Sequence, residues 1–315
     1  LAGTLLPLSA QKADKKITES YKVSKGFTLG IENTYGEINI TSWDKNEVSV
    51  TVTIETEANS QSKAEAMLDD IEISISESSN AVYFETDIDV GPMKGNKKVN
   101  VAYEEKAPAY INAALEQRYG DVYIQELTGV ADLEIMYGGL VAGALTPATD
   151  AWNSLELAYG NADIERTDAL SAEIKYSEIT IDHAARLEIE SAYSEVFLGE
   201  VADLEMESKY DKLMVKALLG SLEFESAYTQ VTIDMVSNSF KEIDAEMAYG
   251  NFTAGLENGT SFEIEADVVY GSVRIPDGSW STNKQGNSQE VSGTVGRGGN
   301  SSITVDMKYG NLLLK

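Results

Sequence analysis

Cysteine is absent from all 315 residues. Its absence excludes disulfides, thiolate nucleophiles, Cys-based metal sites and a lipid anchor carried on cysteine. Histidine is almost absent as well. His183 is the only one, and a zinc site needs several His or Cys ligands. Basic residues are scarce, 24 Lys+Arg against 52 Asp+Glu, for a net charge of -28. A phosphate backbone needs clustered Lys and Arg, so nucleic acid is excluded as a partner and docking on an anionic membrane surface is disfavoured. Cations, basic proteins and neutral sugars remain. No run of about 20 apolar residues occurs, so no helix spans a bilayer.

A hydrophobic content of 43% and an aromatic content of 8% suit a folded protein with a real core. Residues 1–10, LAGTLLPLSA, read as the tail of a secretory signal with cleavage after Ala10, which predicts export to the periplasm, cell surface or medium. The alternative is an apolar first strand.

A repeat dominates the rest of the chain. Tyrosines recur at Tyr119, Tyr137, Tyr159, Tyr176, Tyr193, Tyr210, Tyr228, Tyr249 and Tyr270, at spacings of 17 to 22 residues, with Tyr35 before the series and Tyr309 after it. Three and five residues after a tyrosine come apolar residues, as in Ile179 and Ile181 or Val196 and Leu198. Before it they lie at even offsets, as in Leu187 and Ile189. Alternation of period two marks a strand with one buried face. The change of parity at the tyrosine requires a corner or bulge there. Gly usually comes next, in keeping with the positive φ that such corners often need. Ser177, Ser194, Asp211 and Thr229 take that place in the central rungs, so the corner tolerates other residues.

One such unit cannot bury its apolar face, whereas stacked units can. The pattern therefore predicts an all-β fold, a single-stranded parallel β-helix or β-solenoid, right-handed by the usual sense of parallel crossovers. Rungs of about 17–22 residues run over 109–315. Residues 11–108 form a β-rich N-terminal part with one short helix at Ser60–Asp70. Residues 276–300, rich in Gly, Ser and Asn, read as a long loop or an irregular hairpin. Ile303–Lys315 supply a last rung that would cap the stack.

Candidate chemistry is thin. His183 reads as a solvated turn residue after the Ile179/Ile181 strand, and no nucleophile elbow accompanies it. GTVGRGG at 293–299 precedes a strand rather than a helix, so it reads as turn geometry and not a phosphate loop. The acidic residues say more. Glu188, Glu190, Glu205, Glu207, Glu223 and Glu225 occupy outward positions that stacking would place about 5 Å apart. They read as a solvated face that keeps the solenoid soluble, or as a ladder for Ca²⁺ or a basic partner. No cofactor is required. Tyr159, Tyr176, Tyr193, Tyr210 and Tyr228 share the parity of buried residues, which favours an internal aromatic stack; were they exposed, a stripe of rings would suit carbohydrate.

Four segments carry a resemblance: TYGEINITSWDKNEVSVTV (34–52), SKAEAMLDDIEISI (62–75), VNVAYEEKAPAYINAALEQRYGDVYI (99–124) and SGTVGRGGNSSITVDMKYGNLLL (292–314). In these, over most of 26–315, the chain resembles the bacterial "putative adhesin" families with head-GIN and related toastrack β-solenoid domains, common in gut Bacteroidetes. The resemblance implies an exported β-solenoid, an adhesin role and no catalytic residues. Ser, Asp or Thr after the central tyrosines departs from the family pattern. The expected function is thus a non-catalytic binding or structural protein of the cell envelope, meeting a protein or glycan. The alternative is a β-helix polysaccharide lyase or glycoside hydrolase, whose chemistry needs carboxylates rather than His or Cys. The short rungs from Tyr159 to Tyr228 leave no room for the long loops that wall such clefts.

Overall fold

The structure, a computed structural model, describes residues 10–91, 97–297 and 299–315. The expected leader lies outside the described residues except for Ala10. The fold is an all-β solenoid. Its one helix among the described residues, Gln61–Asp69, falls where the sequence predicts it and buries Ala64 and Met67. Thr56 Oγ1 donates to the Ala64 carbonyl from the strand beneath. None of the described helix is long and apolar enough to cross a membrane. The chain forms two compact units, Leu1–Val141 and Ala142–Lys315.

In the first unit the rung Thr28–Thr34 and Ile38–Ser42 pairs in parallel on both sides. On one side lie Ala81–Ile88 and Lys98–Ala107, on the other Asn112–Arg118 and Val122–Leu127. Antiparallel strands extend this stack, with Glu47–Ala58 on Lys98–Ala107, Gln11–Lys22 on Glu47–Ala58, and Ile71–Glu77 on Ala81–Ile88. The outer strand Gln11–Lys22 carries Lys12, Lys15, Lys16 and Lys22, charges that discourage edge-to-edge pairing.

In the second unit the rungs of 17 residues lie in register. Ile164, Ile181, Leu198 and Val215 form one inward column, and Leu170, Leu187, Leu204 and Leu222 another. Each central rung is a single strand from corner to corner: Asn161–Lys175, Glu178–Ala192, Glu195–Lys209 and Lys212–Ala227. The separate mid-rung turn that the repeat suggests is reduced to gaps in the ladder, at Glu165 and Asp168 in the first of them. Ile179, Ile181, Leu187 and Ile189 are at most 2% exposed. Burying each such side chain contributes about 1.5–3 kcal/mol, but only once a neighbouring rung covers it.

Two expectations about the end of the chain need correction. Residues 276–300 contain a regular antiparallel hairpin, Gly278–Gln285 with Ser288–Val295, closed at Gly286 with φ 62°. All eight residues of its outer strand are exposed, so no apolar alternation betrays it. Ser302–Lys308 and Asn311–Leu314 do not cap the stack. They lie inside it, parallel to Glu242–Ala248 and Asn251–Leu256 on one side and to Phe262–Val269 and Ser272–Arg274 on the other. Ile303, Val305, Met307, Leu312 and Leu314 are at most 2% exposed there. Of the GTVGRGG segment, Val295 ends a strand and Gly296 turns with φ 72°; Gly298 lies outside the described residues.

Candidate binding surface

The corner is made by the tyrosine, not by the glycine after it. All eleven repeat tyrosines have φ between 51° and 63°, the left-handed region. Of the glycines next to them in sequence only Gly36 has a positive φ. The glycine answers a different need. A Cβ on Gly120 would sit 1.5 Å from the Gly36 carbonyl oxygen, so stacked corners approach too closely for a side chain.

The left-handed turn also swings the tyrosine outward, which overturns the internal stack expected from parity. In the second unit Tyr159, Tyr176, Tyr193, Tyr210 and Tyr228 are 43–51% exposed. They stack nonetheless, on the solvent side. Successive ring centroids from Tyr159 to Tyr249 are 4.7–5.1 Å apart with planes within 8°. Tyr309 then lies between Tyr249 and Tyr270, at 4.7 and 4.9 Å. In the first unit Tyr35, Tyr119 and Tyr137 stack likewise, at 5.4 and 5.0 Å. Tyr193 has both faces covered, by Tyr176 and Tyr210. The column thus offers ring edges and hydroxyls rather than the open faces on which a sugar stacks.

Beneath the central tyrosines runs a polar ladder. The backbone N–H at Gly160 donates to Ser177 Oγ, that of Ser177 to Ser194 Oγ, and that of Ser194 to Asp211 Oδ1 at 2.6 Å. Asp211, 7% exposed, also accepts from Ser191 Oγ, Ser208 Oγ and the Lys209 N–H at 2.6, 2.8 and 3.0 Å. In the first unit amides do this work. Asn33 Nδ2 donates to Gln117 Oε1 and to the Val101 carbonyl, and Gln117 Nε2 to the Gly36 carbonyl.

The six candidate glutamates are all exposed and fall in two columns, Glu188–Glu205–Glu223 and Glu190–Glu207–Glu225. The second belongs to a longer series. Three residues before each tyrosine stands an acid: Glu156, Glu173, Glu190, Glu207, Glu225, Glu246, Asp306 and Asp267, paired rung to rung. The pairing register puts eight carboxylates in one line at about 4.8 Å per step. Of this line only Glu173 has a salt bridge among the described residues, to Lys175, whose ammonium it holds above the ordinary lysine pKa. The other candidate column continues into Asp244 but meets Ser171 and Thr304 at its two ends. One residue before the tyrosines a second line runs Lys175, Ala192, Lys209, Ala227, Ala248 and Lys308. An open groove of about 810 Å³ is lined by both lines and by the residues between them, among them Ser191, Ser208 and Met247. In the first unit Glu85, Glu32, Glu116 and Glu134 form the matching line, and burial, then Glu116 and Glu85, raises the Glu32 carboxyl above its usual pKa.

Among the described residues no three His, Asp or Glu side chains converge as a metal ion would need. The carboxylates are strung along a line instead. His183 lies within the strand Glu178–Ala192 rather than in a turn, and its Nδ1 is 3.4 Å from Glu200 Oε2 with both side chains about half exposed. Exposed pairs contribute little. His183→Gln is therefore expected to leave Tm within about 2 °C of the unmodified chain in a circular-dichroism melt.

No protein-family profile and no curated protein matches this sequence. Solved structures do match. A "putative adhesin" of Parabacteroides distasonis aligns over 77% of this chain and 97% of its own, at 10% identity and TM-score 0.40. A "putative cell adhesion protein" of Clostridium sporogenes aligns over 96% and 99%, at 12% identity and TM-score 0.22. A "putative lipid binding protein" of Parabacteroides distasonis aligns over 95% and 96%, at 8% identity and TM-score 0.40. Two of these three names coincide with the adhesin families that the motifs resemble. At such identities and TM-scores they carry no argument about what this chain binds.

Proposed function

We propose that the chain is an exported, non-catalytic binding protein of the cell envelope, adhesin-like, and that the second unit's groove is its contact surface for the basic segment of a partner protein. The observation that carries this reading is the unbroken line of eight carboxylates beside an open groove. An extended basic chain laid along the stacking axis would meet a carboxylate at every rung, about 4.8 Å apart. Such complementarity steers association and fixes register. A lyase or glycosidase role has less support. Six of the eight carboxylates are exposed to solvent, whereas a general acid needs an apolar setting to keep its proton near neutral pH.

Fluorescence anisotropy with a labelled oligolysine tests the reading, alongside a panel of neutral glycans. The chain is expected to bind oligolysine at low salt. Replacing three of the acids together, Glu190→Gln, Glu207→Gln and Glu225→Gln, should weaken that binding roughly tenfold or more. The variant should melt no lower than the unmodified chain, because adjacent like charges on a sheet repel. Unchanged oligolysine binding by the triple variant, or tight glycan binding that ignores the substitutions, would remove the groove as the contact surface.

A further inference from the structure

The tyrosine column has a chemistry of its own. From Tyr159 to Tyr270, through Tyr309, the rings lie parallel with centroids 4.7–5.1 Å apart. Each is 43–54% exposed. A small oxidant therefore reaches the hydroxyl and ring edge of every member, while the ring face meets only its neighbour. When a phenol loses an electron and its hydroxyl proton, the unpaired spin lies partly on the two ring carbons ortho to the oxygen, in lobes perpendicular to the ring. In this column those lobes point at the adjacent ring. The geometry is held from below, since each tyrosine has a left-handed φ of 51–62° in this unit and its rung is locked by parallel ladders.

We propose that the second unit's tyrosine column is a site of oxidative cross-linking, at which adjacent rungs become joined by dityrosine bonds. The oxidant required is a peroxide acting through a one-electron catalyst of the haem-peroxidase class. Each of two neighbouring tyrosines gives up one electron and its phenolic proton. The two phenoxyl radicals form one carbon–carbon bond between ortho (Cε) carbons. The hydrogens displaced from those carbons leave as protons, and protons return to the two phenolic oxygens as the rings regain aromaticity. The peroxide takes the two electrons and two protons and becomes two waters, so each link removes two hydrogen atoms from the chain. The ring edges on the solvent side close the gap by tilting about Cα–Cβ and Cβ–Cγ, leaving the buried rungs in register. The sequence has no cysteine, so this column provides the covalent reinforcement between rungs that disulfides provide elsewhere.

The test uses the full chain at low micromolar concentration with peroxide and a haem peroxidase. The readouts are dityrosine fluorescence, intact mass and cross-linked peptides. Tyr83 is an internal control. It is 48% exposed, as open as the column members, but among the described residues it stacks on no other tyrosine. The expected product is a monomer lighter by two hydrogens per link, with links such as Tyr176–Tyr193 and Tyr228–Tyr249. Links within the column should outnumber those to Tyr83 roughly tenfold or more, because prior alignment replaces a random encounter. Tyr193→Phe keeps the stack but cannot form a phenoxyl radical. It should abolish the links to Tyr176 and Tyr210 and leave Tyr228–Tyr249 intact. Links formed mainly between molecules, links to Tyr83 at the same frequency, or oxidation of Tyr83 without dityrosine in the column would each overturn the proposal.

Discussion

Asp211→Ala is expected to destabilise the second unit by about 3–5 kcal/mol, lowering its Tm by roughly 10 °C. The carboxylate is 7% exposed and accepts four hydrogen bonds, from the hydroxyls of Ser191 and Ser208 and from the N–H groups of Ser194 and Lys209. Alanine removes this acceptor from all four donors at once; Ser208 keeps Thr229 Oγ1 as a partner, whereas the Ser191 hydroxyl and the Ser194 and Lys209 N–H groups lose the carboxylate they bond. Asp211→Ser separates this from a simple cavity effect. Serine occupies the equivalent place at Ser177 and Ser194 and accepts the N–H of the preceding rung there. It should recover part of the loss by taking back the Ser194 N–H. Thermal melts monitored by circular dichroism decide the matter. An alanine variant that melts within about 2 °C of the unmodified chain would show that the polar ladder does not hold the corners.

The opposite sign is expected at Glu105 in the first unit. This side chain is 1% exposed and neither carboxylate oxygen has a hydrogen-bond partner. It sits on a strand between Ile40 and Val50. Burial, the largest cause, pushes its pKa well above the ordinary carboxylate value, and Glu104 adds to this; the N–H groups of Asn39 and of Glu105 itself offset part without closing a hydrogen bond. The folded chain therefore binds a proton here that the unfolded chain has released. Glu105's contribution to stability is full below the unfolded carboxylate pKa and is lost as pH rises through the raised value. Leucine carries no such penalty. The advantage of Glu105→Leu over the unmodified chain should thus be smallest near pH 4 and grow by about 1–3 kcal/mol by neutral pH and above. Urea unfolding of both proteins across that range measures the gap. A gap that does not grow with pH would mean that the charge of Glu105 is not what the fold resists.

Much of this architecture is legible in the residues. The 17-residue spacing and the inward Ile and Leu pairs identify the rung, because a period of two with one buried face leaves few other solutions. The orientation of the tyrosines is not legible that way. Parity assumes extended backbone through each residue, and a left-handed φ at Tyr176 or Tyr193 breaks that assumption. Outward parity finds the glutamates at Glu188 and Glu190. Register shows that Glu190 belongs to an eight-membered line and Glu188 to a shorter one. Aligning the sequence on its tyrosines and reading the third residue before each would find that line. Glu105 leaves no trace, since an acid at an inward position looks like a break in the alternation. The placement of Ser302–Leu314 is non-local, and nothing in its own residues states which rungs it joins.

That placement sets an order of assembly. A chain made from its first residue onward lays the rungs of the second unit side by side as far as Asn251–Leu256. It must then leave one layer vacant. Among the described residues Phe262–Val269 has two ladder partners, the hairpin strand Ser288–Val295 and the late strand Ser302–Lys308. Until residues 302–314 emerge, the Phe262–Val269 layer lacks the strand that, among the described residues, links it by ladder hydrogen bonds to Glu242–Ala248. The second unit is thus built like an arch, in which a stone cut last is set between courses already in place.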